Sequence, residues 1–312
     1  MSNFRHLKEL LDETEKYLRS LRYSPYTVRM FHYNNLYFIR KLEEQGVSDV
    51  SGLTKSSLFR YQRHLAHAQT EKGLPLKPRT VNKKIESARV FLKHLAEKGY
   101  ILNDLAETLQ YVKVPEKLPE SVLTHSQVRK IIRATDKSTP EGRRNRALIE
   151  LMYSSGLRAG EVVGLNLRSV DFPGKTVRVT GKGNRERMVP VGETALQQLE
   201  TYVKAVRPFL ACNDSGNALF LNSSGTRLQY HSILRIVHEI CDKAGIEENV
   251  SCHTFRRSCA TELVRGGANI YHVKEILGHK SVETLKHYTK LTVTDLKKTH
   301  AKFHPRGRKT NQ

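Results

Sequence analysis

Six side chains in the second part of this 312-residue chain have types and spacings that suit phosphate chemistry. Arg158 lies in Ser155-Gly-Leu-Arg-Ala-Gly-Glu161, just after a helix-ending glycine and near the start of the next helix, where free N–H groups favour an anion. Lys182 sits between two glycines in Thr180-Gly-Lys-Gly183, at the expected tip of a hairpin, where it can reach outwards to a ligand. His253 and Arg256 are spaced i, i+3, so on a helix they share a face and can reach one phosphate together. Arginine offers a fork of donors suited to phosphate oxygens, and histidine passes protons near neutral pH. His279 follows Ile276-Leu-Gly278. Tyr288 comes nine residues later, about two turns into a short helix that Ser281 can cap.

Each of these segments also has a plainer reading. Arg158 can simply pair with Glu161 along one helix face. A charged hairpin tip keeps a sheet soluble. His253 can pack against the preceding helix while Arg256 stays solvated, although Phe255, Cys259 and Leu263 already give that helix a buried face. A tyrosine is ordinarily core or interface. Of the 13 tyrosines, Tyr153 and Tyr271 lie inside apolar-patterned helices and are expected to be structural.

The elements that position these residues follow from spacing and caps. Residues 1–112 pattern as four helices and little else. Phe4, Leu7, Leu10, Leu11, Tyr17, Leu18 and Leu21 recur at helical spacing. Ser24-Pro25 opens a second helix towards Lys41, Thr54 a third, and Thr80 a fourth that stops at Gly99. Residues 113–121, with two prolines and no periodicity, are expected to link two domains. In residues 122–312, Thr124 caps a helix and Glu141–Ser155 forms another. The alternating Val170–Thr180 and Arg185–Val191 segments then make a β-hairpin. Helical patterning resumes at Glu193 and is expected to run to about Phe303. The expected fold class is mainly α with one small β-sheet.

Composition narrows the partner. Lys plus Arg number 53 against 31 Asp plus Glu, a formal charge of +22 that both parts share, and this points to a polyanion, most simply nucleic acid. Hydrophobic residues at 38% exclude a membrane protein and a wholly disordered chain. Cys212, Cys241, Cys252 and Cys259 form no CxxC pair, which argues against a structural zinc site and a disulfide framework. No carboxylate cluster with two-metal spacing lies near the six residues, so neither metal nor cofactor is expected. The first residues lack an apolar secretion segment, and a cytoplasmic protein is expected.

Taken in order, the motifs resemble the tyrosine recombinase (phage-type integrase) family, and its Xer-like branch in particular. The resemblance rests on Gly156-Leu157-Arg158-x-x-Glu161, Gly181-Lys182-Gly183, His253-x-x-Arg256, Leu277-Gly278-His279 and Tyr288-Thr289, with an Xer-like ending at Phe303-His-Pro-Arg306. Two departures, Phe255 and Arg257 flanking Arg256 and Asn145 where an Asp is common, touch none of the six positions. The resemblance implies a helical, SAM-like core-binding domain over 1–112 and an α+β catalytic domain over 122–312. It implies Tyr288 as nucleophile, Arg158 and Arg256 clamping the non-bridging oxygens, and Lys182 protonating the departing 5′-oxygen. His253 would handle the tyrosine proton and His279 would hydrogen-bond the phosphate. Glu161 would position Arg158. The implied product is a 3′-phosphotyrosine within a tetramer on two duplexes, passing through a Holliday junction. Partners would be double-stranded DNA with paired inverted half-sites and neighbouring protomers docked by the C-terminal helix. An accessory protein or a second recombinase fits the same assembly, and no membrane is implied.

Two other functions share parts of this pattern. A type IB topoisomerase uses similar residues to nick and reseal one duplex, and would relax supercoiled plasmid without recombinant product. A non-catalytic DNA-binding relative would process DNA equally well or poorly with Tyr288 replaced. Either way, several phosphates must be neutralised on binding, so the logarithm of DNA affinity is expected to fall steeply and linearly with the logarithm of salt concentration. A salt slope near zero in a fluorescence-anisotropy titration would count against a DNA partner.

Overall fold

The computed structural model of the protein describes residues 6–115, 122–181, 185–248 and 250–278. The chain divides into two compact units, Met1–Lys117 and Leu118–Gln312.

The first unit is helical for the reasons its sequence supplies. Helix α1 (Leu7–Ser20) buries Leu7, Leu10, Leu11, Thr14 and Leu18, one stripe at helical spacing. Helix α2 (Pro25–Glu43) starts where Ser24 Oγ accepts the Thr27 N–H at 3.1 Å, with Pro25 in the first turn. Helix α3 (Lys55–His67) opens on a reciprocal cap: Thr54 Oγ1 accepts the Ser57 N–H, and Ser57 Oγ accepts the Thr54 N–H. Helix α4 (Pro78–Glu97) begins two residues before the expected Thr80 cap. Pro78 lacks the N–H that a first-turn residue leaves unpaired and has its φ preset for a helix, so the helix starts there. It ends as expected at Gly99, at φ +73°. Phe38, Tyr61, Phe91 and the leucines of these helices form one core.

The second unit is built around helix α6 (Pro140–Ser155), which follows α5 (His125–Arg133). Ala147, Leu148, Ile149, Leu151 and Met152 of α6 are all wholly buried, so the helix is enclosed on nearly every side. Gly156 ends it in the left-handed region at φ +59°. The short α7 (Ala159–Val163) follows immediately. An antiparallel sheet comes next, ordered β1 (Val170–Asp171), β2 (Thr176–Thr180), β3 (Glu186–Pro190). The expected hairpin is thus two strands of a three-stranded sheet. Val179 lies opposite Arg187 and Thr180 opposite Glu186, and the Gly181 N–H donates to the Arg185 carbonyl at 2.8 Å.

Helix α8 (Glu193–Thr201) continues through a π-helical turn (Tyr202–Val206) into α9 (Arg207–Leu210). Pro208 cannot donate to the preceding turn, which accounts for the widening just before it. Continuous helix was expected from Glu193 to about Phe303, and residues 211–229 depart from that. Turn-forming Asn213-Asp-Ser-Gly216 and Asn222-Ser-Ser-Gly225 break the helical pattern, with Gly225 at φ +79° and Leu221 bridged to Arg227. Helices α10 (Tyr230–Lys243), α11 (Cys252–Arg265) and α12 (Ile270–Leu277) complete the described chain. Tyr271 on α12 is 64% exposed and so is no part of the core, while Tyr153 is half-buried. Residues 116–121 of the expected linker and residues 279–312, including the expected C-terminal docking helix, lie outside the described residues. Among the described residues no helix is long and apolar enough to cross a membrane.

Candidate active site

Helix ends supply the framework of the site. The last carbonyls of an α-helix have no partner within the helix and lie at the negative end of its dipole. Here the end of α12 gives three successive carbonyls to three arginines. Arg187 Nε donates to Ile276 O at 3.2 Å, Arg256 Nη2 to Leu277 O at 2.5 Å, and Arg158 Nη2 to Gly278 O at 3.2 Å. Arg256 Nη1 reaches the other helix end, the Gly156 carbonyl closing α6, at 2.7 Å.

Glycine is required at both ends. A methyl group on Gly156 would come within 2.5 Å of Leu277 Cδ2, and one on Gly278 within 2.9 Å of Arg187 Nε; both residues have positive φ.

Glu161 is the acidic counterpart. Its Oε1 accepts from Arg158 Nη1 and Arg187 Nη1, each at 2.8 Å. Its Oε2 accepts from the Arg158 backbone N–H at 2.9 Å and from Arg187 Nη2 at 3.0 Å. The Glu161 side chain is 4% exposed, against 17% for Arg187 and 37% for Arg158. Burial by itself pushes the Glu161 carboxyl up. The hydrogen bonds from Arg187 and the Arg158 N–H, with the Arg187 charge, outweigh it and hold the carboxyl below its ordinary value.

Arg158 and His253 line one cleft of about 360 Å³, together with Glu161, Gly181, Tyr230 and Cys252. His253 is exposed in the first turn of α11, while Arg256 on the same helix is only 3% exposed and does not line the cleft. The i, i+3 spacing therefore does not present the two side chains equally. The Arg256 guanidinium is buried and donates to the carbonyls of Gly156 and Leu277. Lys182, His279 and Tyr288 lie outside the described residues; Gly181 and Gly278, which precede Lys182 and His279 in the chain, are both part of this site.

Three residues of the site escape sequence reasoning. Arg187 is the most consequential, and it carried a usable signal. It alternates with Val189 and Val191 on the inward face of its strand, and an inward-facing cation needs a buried partner. Tyr230 offers a phenol at the cleft and is 44% exposed. Cys252 puts a thiol there, but burial pushes it up to about 11, so it is neutral at pH 7. Cys259, packed against Gly156, is likewise pushed up by burial to about 11.

A cleft lined by Arg158, His253 and Gly181 of the hairpin, with the guanidiniums of Arg187 and Arg256 fixed by the end of α12, fits the class of tyrosine recombinases. The comparisons agree. Residues 121–294 match the phage integrase family, so the chain belongs to that family. It is 34% identical over 284 residues to tyrosine recombinase XerC 2 of Ralstonia nicotianae, covering 91% of this chain and 82% of that protein. It is 34% identical over 277 residues to tyrosine recombinase XerD of Mycobacterium tuberculosis, covering 87% and 89%. Among solved structures, XerH bound to a palindromic difH substrate shares the fold with a TM-score of 0.70 at 20% identity, over 88% of this chain and 79% of that one. A lambda integrase tetramer bound to a Holliday junction does so with a TM-score of 0.70 at 17% identity, over 92% and 78%.

Glu161→Gln removes the charge that the guanidiniums of Arg158 and Arg187 share, and is expected to destabilise the protein by about 2–3 kcal/mol at pH 7. Because the folded-state pKa of Glu161 is depressed, this contribution is present above its unfolded value, near 4.5, and fades as pH falls through the lower folded value. Urea unfolding of both proteins at pH 7 and pH 3.5 checks this: the gap should be wide at pH 7 and narrow at pH 3.5.

Proposed function

We propose that the protein cuts and rejoins DNA at specific sites through a covalent 3′-phosphotyrosine formed by Tyr288. The observation that carries this reading is the capture of Arg158 and Arg256 by carbonyls at the end of α12, with Arg158 lining the cleft. Guanidiniums that are already oriented need no rearrangement when charge develops on a phosphorane, and that electrostatic preorganisation is the larger part of such catalysis.

In the reaction, the Tyr288 oxygen attacks the scissile phosphorus and its proton passes to His253. Free tyrosine has a pKa of about 10, so about one molecule in a thousand is ionised at pH 7. The surrounding cations favour the phenolate. Arg158 faces the non-bridging oxygens from the cleft. Arg256, oriented by the carbonyls of Gly156 and Leu277, directs its charge at the same phosphate. His279 hydrogen-bonds the same phosphate. Lys182 gives its proton to the 5′-oxygen as the P–O bond breaks. Removing either arginine is expected to cost roughly 10² to 10³ in rate. Attack by a 5′-hydroxyl on the phosphotyrosine reverses these transfers and reseals a strand, so the bond energy is kept.

Residues 1–112 are proposed as the core-binding domain, 113–121 as its linker and 122–312 as the catalytic domain. XerH in complex with a palindromic substrate and lambda integrase as a tetramer on a Holliday junction support an assembly on paired half-sites. We assign the C-terminal segment to protomer docking and place the enzyme in the cytoplasm. Either chromosome-dimer resolution or movement of a genetic element would use this chemistry.

A nicked suicide substrate provides the test, because the short 5′ fragment diffuses away and strands the covalent adduct. Wild type should give an adduct that peptide mapping places on Tyr288, and Tyr288→Phe should give none. An adduct on Tyr230, or full activity of Tyr288→Phe, would overturn the assignment.

A further inference from the structure

We infer that Arg187 is a positioning residue for leaving-group protonation, fixing the hairpin that carries Lys182 to the floor of the active site. The inference deepens the reading above and rests on its assignment of Lys182 as the acid.

Strand β3 gives this arginine an inward-facing position at the strand end nearest the hairpin turn. Its Nη1 and Nη2 both donate to Glu161, at 2.8 and 3.0 Å, and its Nε donates to the Ile276 carbonyl at 3.2 Å. One planar group therefore joins three segments: the hairpin, the Arg158–Glu161 turn and the end of α12. A lysine has one ammonium group and cannot reproduce that fork.

The hairpin backbone passes close to this group. A methyl added at Gly181, the residue before Lys182, would lie 3.5 Å from Arg187 Nη1 and 3.6 Å from Glu161 Oε1. The Gly181 N–H also bonds to the Arg185 carbonyl at 2.8 Å, closing the turn two residues before Arg187. Strand β3, which leads into residues 182–184 from one side, is thus tied through Arg187 to the acid that also holds Arg158, and Gly181 on the other side is bonded back to Arg185. Without the guanidinium, Glu161 keeps its bonds to Arg158, but the hairpin loses its anchor. Misplacement of a catalytic group by about 1 Å can cost about 10² in rate.

A substrate that needs no acid isolates this role. In a 5′-phosphorothiolate, sulfur replaces the bridging 5′-oxygen. Tyr288 forms its bond to phosphorus, the P–S bond breaks, and the sulfur leaves with the electron pair as a thiolate, needing no proton because a thiol ionises near pH 8.5. Cleavage of oxygen and sulfur substrates is compared for wild type, Lys182→Ala, Arg187→Met and Arg187→Lys. Arg187→Met is expected to lose about 10²-fold on the oxygen substrate and to match wild type on the sulfur one, as Lys182→Ala does. Arg187→Lys should show the same recovery from a smaller loss, and recovery in either variant also demonstrates a folded active site. If Lys182→Ala recovers and neither Arg187 variant does, Arg187 acts elsewhere and the inference fails. If Lys182→Ala itself does not recover, the assignment of Lys182 as the acid fails first. Full activity of Arg187→Met on the oxygen substrate would also overturn the proposal.

Discussion

Arginine held by the open end of a helix is the interaction on which the rest of this active site depends. The final turn of α12 leaves carbonyls that no backbone N–H of the described residues satisfies, and three guanidiniums donate to them. The orientation of each guanidinium is set by backbone, the least mobile part of the fold. The cost of taking these charges partly out of water is offset by carbonyl dipoles and by one shared carboxylate, Glu161. Such an arrangement contributes less to stability than to geometry. It keeps positive charge in one place and ready for an anion, which an apolar core of equal volume could not do.

The same arrangement explains why α6 and α12 must end where they do. Gly156 and Gly278 turn the chain with positive φ, and a side chain would strike Leu277 at the first and Arg187 at the second. Packing then couples them, since Leu277 sits against Gly156 while its carbonyl accepts from Arg256. The core around α6 does not touch substrate, yet it fixes one of the two carbonyls that hold Arg256.

Much of this was legible in the sequence, and the limits have physical causes. Helices α1 to α6 follow from apolar spacing and from Ser24, Thr54 and Thr124 as caps, which are local signals. The early start of α4 at Pro78 shows a preset proline φ prevailing over a hydroxyl cap. Residues 211–229 were mistaken for helix because their apolar residues pack against the core without helical hydrogen bonding. Tyr271 was mistaken for core because apolar neighbours on a short helix do not say which side is covered. Arg158, His253 and Arg256 were legible by type and order. The inward turn of Arg256 was not, since it depends on carbonyls 21 and 100 residues away in the chain. Arg187 was missed for a similar reason: its partner lies 26 residues away in sequence.

If guanidinium charge at the phosphate is what this fold exists to supply, removing the phosphate's own charge should remove the need for it. The direct measurement is the cleavage rate of Arg158→Ala and Arg256→Ala on DNA whose scissile phosphate is a neutral methylphosphonate, set against the same variants on ordinary DNA. The account predicts that losses of roughly 10² to 10³ on the charged phosphate shrink to a small factor on the neutral one. Equal losses on both substrates would mean that the two arginines merely hold the protein together, and would contradict it.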